Sequence, residues 1–494
     1  MRGTQAFCRR AIAGLSVLVL AAIPVGCGSS SEPEAAFSGV AQGFGVGSSG
    51  VPASALCPDR KPADDITVVD MWWPFESPLI NSSAAEFNCE HPEIAVNISV
   101  NDQVGDDSNG KLLAAVAAHK PPDLVMSWDD LLTAWAAKGE LQPIDAQVEA
   151  LGIERSDYVD QAWQSTLWKD RQYGIPVDWD PDAMLWYNKK VFAEVGLDPD
   201  KPPTTWQQVQ DYAARIDKVE NGKIQRLGFI PWDGWQFNYI QLGHQFGAPF
   251  DTGANGKIVL DSPQLRELFA YMQGIARKFG GAGKIDSFTS VTGAQGAAAD
   301  PLLSGKVGMR LIGDWQLGQQ ANVGEKVFRE TLGVTAMPPP PGGKPYLSHS
   351  GWSFMVPTGA EHVNEAMVYV EWMLESDNFG KYIGPANGWL PAKIETRSQK
   401  YLTSDPTWRA ILAIDAKQEK DWWLPPSPLL GPYYRFLDEA LSELTALEGT
   451  PEIVLSRAQA QMLDALENAI ALGSTTNERT GNRDGPRHVD RPCR

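Results

Sequence analysis

The chain repeatedly sets a tryptophan beside a carboxylate: Trp72, Trp73 and Glu76; Trp128 and Asp129; Asp178, Trp179, Asp180 and Asp182; Trp232, Asp233 and Trp235; Asp314 and Trp315. Gly351–Trp352, Trp422–Trp423 and Tyr433–Tyr434 add further aromatic positions. An indole or phenol offers a flat apolar platform, and a carboxylate offers a strong acceptor. The pairing therefore suits noncovalent capture of a ligand with an apolar face and a polar rim. The 18 tryptophans in 494 residues exceed ordinary usage. Burial in a core competes as the explanation for any single tryptophan, and turn-making does so for any single aspartate. Reaction chemistry has weaker support. No GxSxG, HExxH or phosphate-binding glycine loop occurs. No motif singles out the two facing carboxylates that glycoside hydrolysis needs. The acidic run NDQVGDDSNG at 101–110 lacks the alternating ligands of a calcium loop, and the cysteines lack metal-site spacing. No metal and no cofactor are expected.

These residues fall at the ends of patterned runs. ITVVDMWW, IAVNISVND and PPDLVMSW read as strands, interleaved with helices at 83–88, 111–119 and LLTAWAAKGELQPI, the last stopped by Gly139. That βαβαβα order predicts an α/β class, with a sheet flanked by helices and ligands at strand ends. Further on, helices are expected over 205–218 (with Thr205 as N-cap), 261–279, 298–305, 364–374, 405–418, 431–447 and 452–471. Short strands are expected over 227–230, 307–311, 332–337 and 353–356. The run PPPPGG at 338–343 reads as a rigid connector.

Length alone predicts more than one domain. Residues 1–26 carry Arg2, Arg9 and Arg10 ahead of an apolar stretch too short to span a membrane, the pattern of a secretory signal. It ends at Ile-Pro-Val-Gly-Cys, so Cys27 is the expected lipidated cysteine of a lipoprotein. An ordinary signal cut nearby is the alternative, and Arg9–Arg10 allows a twin-arginine route. Residues 27–57, rich in Gly, Ser and Ala, read as a flexible lipid-anchored tether, and 473–494 as a disordered tail. Loss of the signal removes three positive charges and no negative one, taking the formal charge from −19 to −22. Such a balance argues against nucleic acid or an anionic membrane surface as partner. Export makes a Cys57–Cys89 disulfide plausible and leaves Cys493 without a role.

Five segments in order carry a resemblance: MLWYNKKVFAEVGLDPDKPPTTWQQVQ at 184–210, GKVGMRLIGDWQLGQ, LGVTAMPPPPGGKPYLSHSGWSFMVPTGA, NGWLPA and PYYRFLDEAL. Together, over about 64–470, they resemble the extracellular solute-binding proteins of carbohydrate ABC transporters, the maltodextrin-binding-protein-like group. The resemblance implies a two-lobed periplasmic-binding-protein-like fold, each lobe a sheet flanked by helices, with three hinge crossings near Val177, Thr331 and Ser376. Lobe one would be 58–177 plus 332–375, and lobe two 178–331 plus 376–472. It also implies capture of a mono- to oligosaccharide in the interlobe cleft and delivery to an ABC permease. The carrier would be a monomer anchored at the outer face of the cytoplasmic membrane, and not an enzyme. Trp315, with Asp314, matches the family's stacking tryptophan, and Trp128 with Asp129 its second ligand loop. Asp178, Trp179 and Asp182 fall where family members place an acidic ligand group. One of Tyr433 and Tyr434 matches the last stacking position, and Tyr433 is taken. Trp72, Trp73, Glu76, Trp232, Trp235 and Trp352 complete the expected site. Two alternatives stay open: a cationic or amine ligand in the aromatic–acidic cleft, and a secreted carbohydrate-active enzyme. A phosphorylated sugar is disfavoured, because few candidate cleft residues are Arg or Lys.

Overall fold

A computed structural model describes residues 66–75, 78–101, 110–232, 236–252, 257–290, 300–417, 424 and 426–471. In β1 (Thr67–Trp73), Val69, Met71 and Trp73 are buried while Val68 and Asp70 face solvent, the period of two that a half-covered strand requires. Helix α1 (Pro78–Glu90) returns the chain to β2 (Ile94–Val100), parallel to β1 with Val69 opposite Val96. Helix α2 (Lys111–Ala117) then leads to β3 (Leu124–Trp128), parallel on the other side of β1. Helix α3 (Asp129–Lys138) starts directly at the end of β3 and stops at Gly139, whose φ of 78° favours glycine. Helix α4 (Asp160–Ser165) and β4 (Gly174–Pro176) complete this part.

After β5 (Asp180–Pro181) the chain builds a second sheet, beginning with β6 (Met184–Asn188), buried at every residue. The Asn188 carboxamide accepts from Val191 N at 2.9 Å and caps α5 (Lys189–Glu194). Thr205 does the same for α6 (Trp206–Ile216), accepting from Gln208 N at 3.2 Å. Next come β7 (Lys218–Glu220), β8 (Lys223–Ile230), α7 (Gln236–Gln245), α8 (Pro263–Phe279), β9 (Val307–Ile312) and β10 (Leu332–Thr335). The last part comprises β11 (His349–Ser350), β12 (Trp352–Met355), α9 (Val363–Leu374), α10 (Ser376–Tyr382), α11 (Pro406–Asp415), α12 (Leu430–Thr445) and α13 (Pro451–Ala471).

The first sheet has the order β2-β1-β3-β12-β4, and the second β10-β6-β9-β8-β7. β12 returns antiparallel between β3 and β4, so residues far along the chain complete the first lobe. Each sheet has its own core. Met71, Phe87, Met126, Phe354 and Tyr369 belong to the first, and Leu185, Phe229, Phe269, Met309 and Leu437 to the second. Among the described residues no helix is long and apolar enough to cross a membrane.

The crossings lie elsewhere than expected, apart from the first. Leu332–Thr335, expected in lobe one, pairs with β6 in the second sheet. The second crossing therefore follows the proline run and reaches the first sheet at Trp352. The third is not at Ser376. α10 stays on lobe one, where Lys381 and Tyr382 both bond Glu86 of α1 and Phe379 joins the first core. The chain leaves only after Ala392, which is still in that core; Leu402, Trp408 and Ile411 pack beneath β10. The lobe boundaries at 331/332 and 375/376 are corrected accordingly. The helix expected over 298–305 is also absent where described: residues 301–305 form turns, tied by Ser304 N to Asp300 O at 2.9 Å.

Candidate functional site

The three crossings run side by side and are sewn together by the aspartates of the DWDPD segment. Asp178 accepts from Trp352 N at 2.5 Å, Asp180 from Leu390 N at 2.8 Å, and Asp182 from the Ser350 hydroxyl at 2.8 Å. Main-chain bonds add to this: Trp179 N donates to Leu390 O at 2.9 Å, and Ala392 N to Val177 O at 3.1 Å. Gly351 permits the approach, since a Cβ there would meet Asp178 O at 2.3 Å. Asp180 also lies within carboxyl–carboxyl reach of Asp178 and of Asp314, and neither carboxyl oxygen of Asp314 meets a donor among the described residues. Two carboxyl groups can bond only if one holds a proton. Burial accordingly pushes Asp178 up to about 8 and raises Asp314 well above the carboxylate range. Asp178, Asp182 and Asp314, expected at the ligand, are thus buried hinge residues at 0–1% exposure.

Beside this hinge, a narrow cavity of about 20 Å³ for water-sized molecules, open to solvent, lies between the lobes. Lobe one supplies Asp129 and Asp130 from the first turn of α3, and Ser165 from the end of α4. The crossings supply Trp179, Ser348 and His349, and lobe two supplies Ile240, Tyr346, Leu424, Pro426 and Tyr434. The walls therefore come from both lobes and the crossings between them.

The electrostatics are one-sided, since no lysine or arginine is among these lining residues. Burial raises Asp129 well above its ordinary range, the charge on Asp130 adds to this, and bonds from Ser165 and Gly351 oppose it. Asp130, half-buried, is pushed up to about 6 by desolvation, opposed by a hydrogen bond from the Tyr434 hydroxyl. That last bond joins α3 of lobe one to α12 of lobe two. The His349 ring stacks on Trp179 at 6.0 Å and 6°, held by Asp415 at 2.9 Å and Leu347 O at 3.0 Å. Trp179 is thereby fixed as a rigid wall.

Of the expected ligand residues, the structure brings Asp129 and Trp179 together on the cavity. Trp128 and Trp352 sit opposite one another on β3 and β12, 5.4 Å apart edge to face. They belong to an aromatic cluster with Phe75 and Trp389 beside the crossings. Trp315 packs against the cores of both lobes instead of lining the cavity. Trp73 is a fully buried core residue, and Trp72 lies on the opposite sheet face under Lys111, 5.3 Å from its ring. Trp232 belongs to the second core. Tyr433 is buried there too, its hydroxyl donating to Val259 O at 2.7 Å; Tyr434 takes the cavity position instead. Glu76, Trp235, Trp422 and Trp423 lie outside the described residues, as do Cys27 and Cys57, whereas Cys89 is disulfide-bonded. Asp130, Ser165, Tyr346, Ser348 and His349 carried no expectation. The adjacency of Asp130 to Asp129 at a helix start was the one available signal.

Comparison with known proteins places these features in a family. Residues 76–378 match the bacterial extracellular solute-binding proteins. The sn-glycerol-3-phosphate-binding periplasmic protein UgpB of Shigella dysenteriae serotype 1 (strain Sd197) is 26% identical over 190 residues, 35% of this chain and 43% of that protein. The chain thus spans less than half the length of that relative. The maltotriose-binding protein of Pyrococcus abyssi (strain GE5 / Orsay) is 21% identical over 400 residues, 80% of this chain and 81% of that one. Among solved structures, CpMnBP1 with mannobiose bound superposes with a TM-score of 0.72 at 28% identity, covering 80% of this chain and 99% of that chain. The cyclic α-maltosyl-1,6-maltose-binding protein of Arthrobacter globiformis does so at 0.61 and 22% identity, covering 82% and 100%.

Proposed function

Because the chain belongs to the bacterial extracellular solute-binding proteins, we propose that it captures a mono- to oligosaccharide between its lobes and hands it to the permease of an ABC importer. One observation carries this reading: a cavity walled from both lobes by carboxylates, hydroxyls and aromatic rings. A sugar presents apolar CH faces and a rim of hydroxyls, which these groups match. A ligand that touches both walls binds the closed form better than the open one, and only that difference drives closure. The mannobiose held by the solved relative at 28% identity supports a saccharide. The glycerol-3-phosphate relative supports it less, since a phosphate would call for lysine or arginine on walls that have none. Anchoring through lipidated Cys27, a Cys57–Cys89 disulfide and a monomeric state complete the proposal.

The test is a thermal-shift panel of saccharides on the mature chain, with product analysis of each sugar. One or a few sugars should raise the melting point saturably and be recovered unchanged. At a hundredfold excess over Kd the stabilisation is about 2.7 kcal/mol. Hydrolysed or transferred sugar would transfer the case to the enzyme reading.

A further inference from the structure

Asp129 and Asp130 are sequence neighbours in the first turn of α3, and both line the cavity. Each carboxyl group hinders the ionisation of the other in this half-dry site, and the hydroxyl groups of a neutral sugar bring no charge that would favour it. The basic side chains nearby are already engaged. His349 is held by Asp415 and Leu347 O, and Arg397 is off the wall, donating to Pro391 O at 2.8 Å and lying 3.9 Å from Asp415. A metal ion is not called for, because the described residues hold no group of three or more acidic, histidine or cysteine ligands arranged for one. An independent feature points to a ligand donor. Ser348 lines the same cavity, is 3% exposed, and its hydroxyl oxygen has no hydrogen-bond partner. Trp179, Tyr346 and Tyr434 supply π faces and edges around these acceptors. An ammonium group brings three donors and one positive charge, and aromatic faces favour it.

We infer that the cavity takes a saccharide bearing a protonated amine, with Asp129, Asp130 and Ser348 as the acceptors around that nitrogen. The inference rests on the carbohydrate reading and narrows it to amino sugars. The amine also gives a use to two adjacent carboxyl groups on one wall, since a positive charge beside them lets both ionise together.

The experiment is titration calorimetry on the mature chain with matched gluco, manno and galacto monosaccharides, each carrying an amine, an acetamide or a hydroxyl at C2. In at least one series the amine should bind about tenfold more tightly than both neutral counterparts, since a charge-assisted contact replaces a neutral one. The isosteric variants Asp130→Asn and Asp129→Asn, with unchanged far-ultraviolet circular dichroism as the folding control, should each erase most of that advantage. Raising salt from about 0.05 to about 0.5 M should shrink it as well. If neutral sugars bind as tightly as amines, or the preference survives both variants, this inference falls while the carbohydrate reading stands. If no saccharide binds and putrescine does, both fall together.

Discussion

At the scale of single residues, Trp315 carries the sharpest consequence. Its indole contacts the cores of both lobes and lies so close over Gly313 that a Cβ at that glycine would meet the ring at 2.0 Å. Trp315→Ala should therefore cost stability of about 3 kcal/mol, the usual loss for a large packed aromatic. Urea unfolding checks this. A loss under about 1 kcal/mol, together with a large drop in sugar affinity, would move Trp315 back to the ligand. Two residues of the tryptophan–carboxylate pattern, Asp129 and Trp179, line the cavity. Their neighbours differ in how far the chain announces them. Leu430, Tyr433, Leu437, Ala440 and Leu444 follow a helical stripe that buries Tyr433 and turns Tyr434 outward, so that choice was readable from periodicity. Ser348 and His349 were not, because only the fold of the second crossing brings them to the cavity.

At the scale of elements, the hinge is a proton-holding junction. Burial pushes Asp178 from its ordinary 3.8 up to about 8, and Asp180 and Asp314 are raised too, with desolvation first among the causes. Between those limits the folded chain keeps a proton that the unfolded chain has already released. Stability from this source is complete below about pH 4, falls as pH rises, and is gone above about pH 8. Melting temperatures measured across that window should decline, and Asp178→Asn should flatten the slope. A wild-type profile with no dependence on Asp178 would remove the shared proton from the hinge. Two of the crossings themselves eluded the sequence for physical reasons. Glu375, extended at φ −59° and ψ 142°, breaks the chain between two helices and looks like a boundary. Yet α10 is held to lobe one by Glu86, almost 300 residues away. The second crossing did leave a local sign, since prolines 338–341 cannot continue a hydrogen-bonded strand beyond β10.

At the scale of the whole molecule, two sheets with separate cores are joined by three short crossings, and α3 meets α12 across the cleft through Asp130 and Tyr434. That arrangement describes the lobes in contact, with the cavity between them. Such hinge-joined pairs open and close about a few residues at the crossings. The central claim is that a saccharide is held between the lobes and favours their contact. Small-angle X-ray scattering of the mature chain, with and without the sugar that gives the largest thermal shift, tests it most directly. The radius of gyration should fall with sugar, the change being complete at one sugar per chain and reversed on its removal. A bound sugar that leaves the scattering profile unchanged would contradict it.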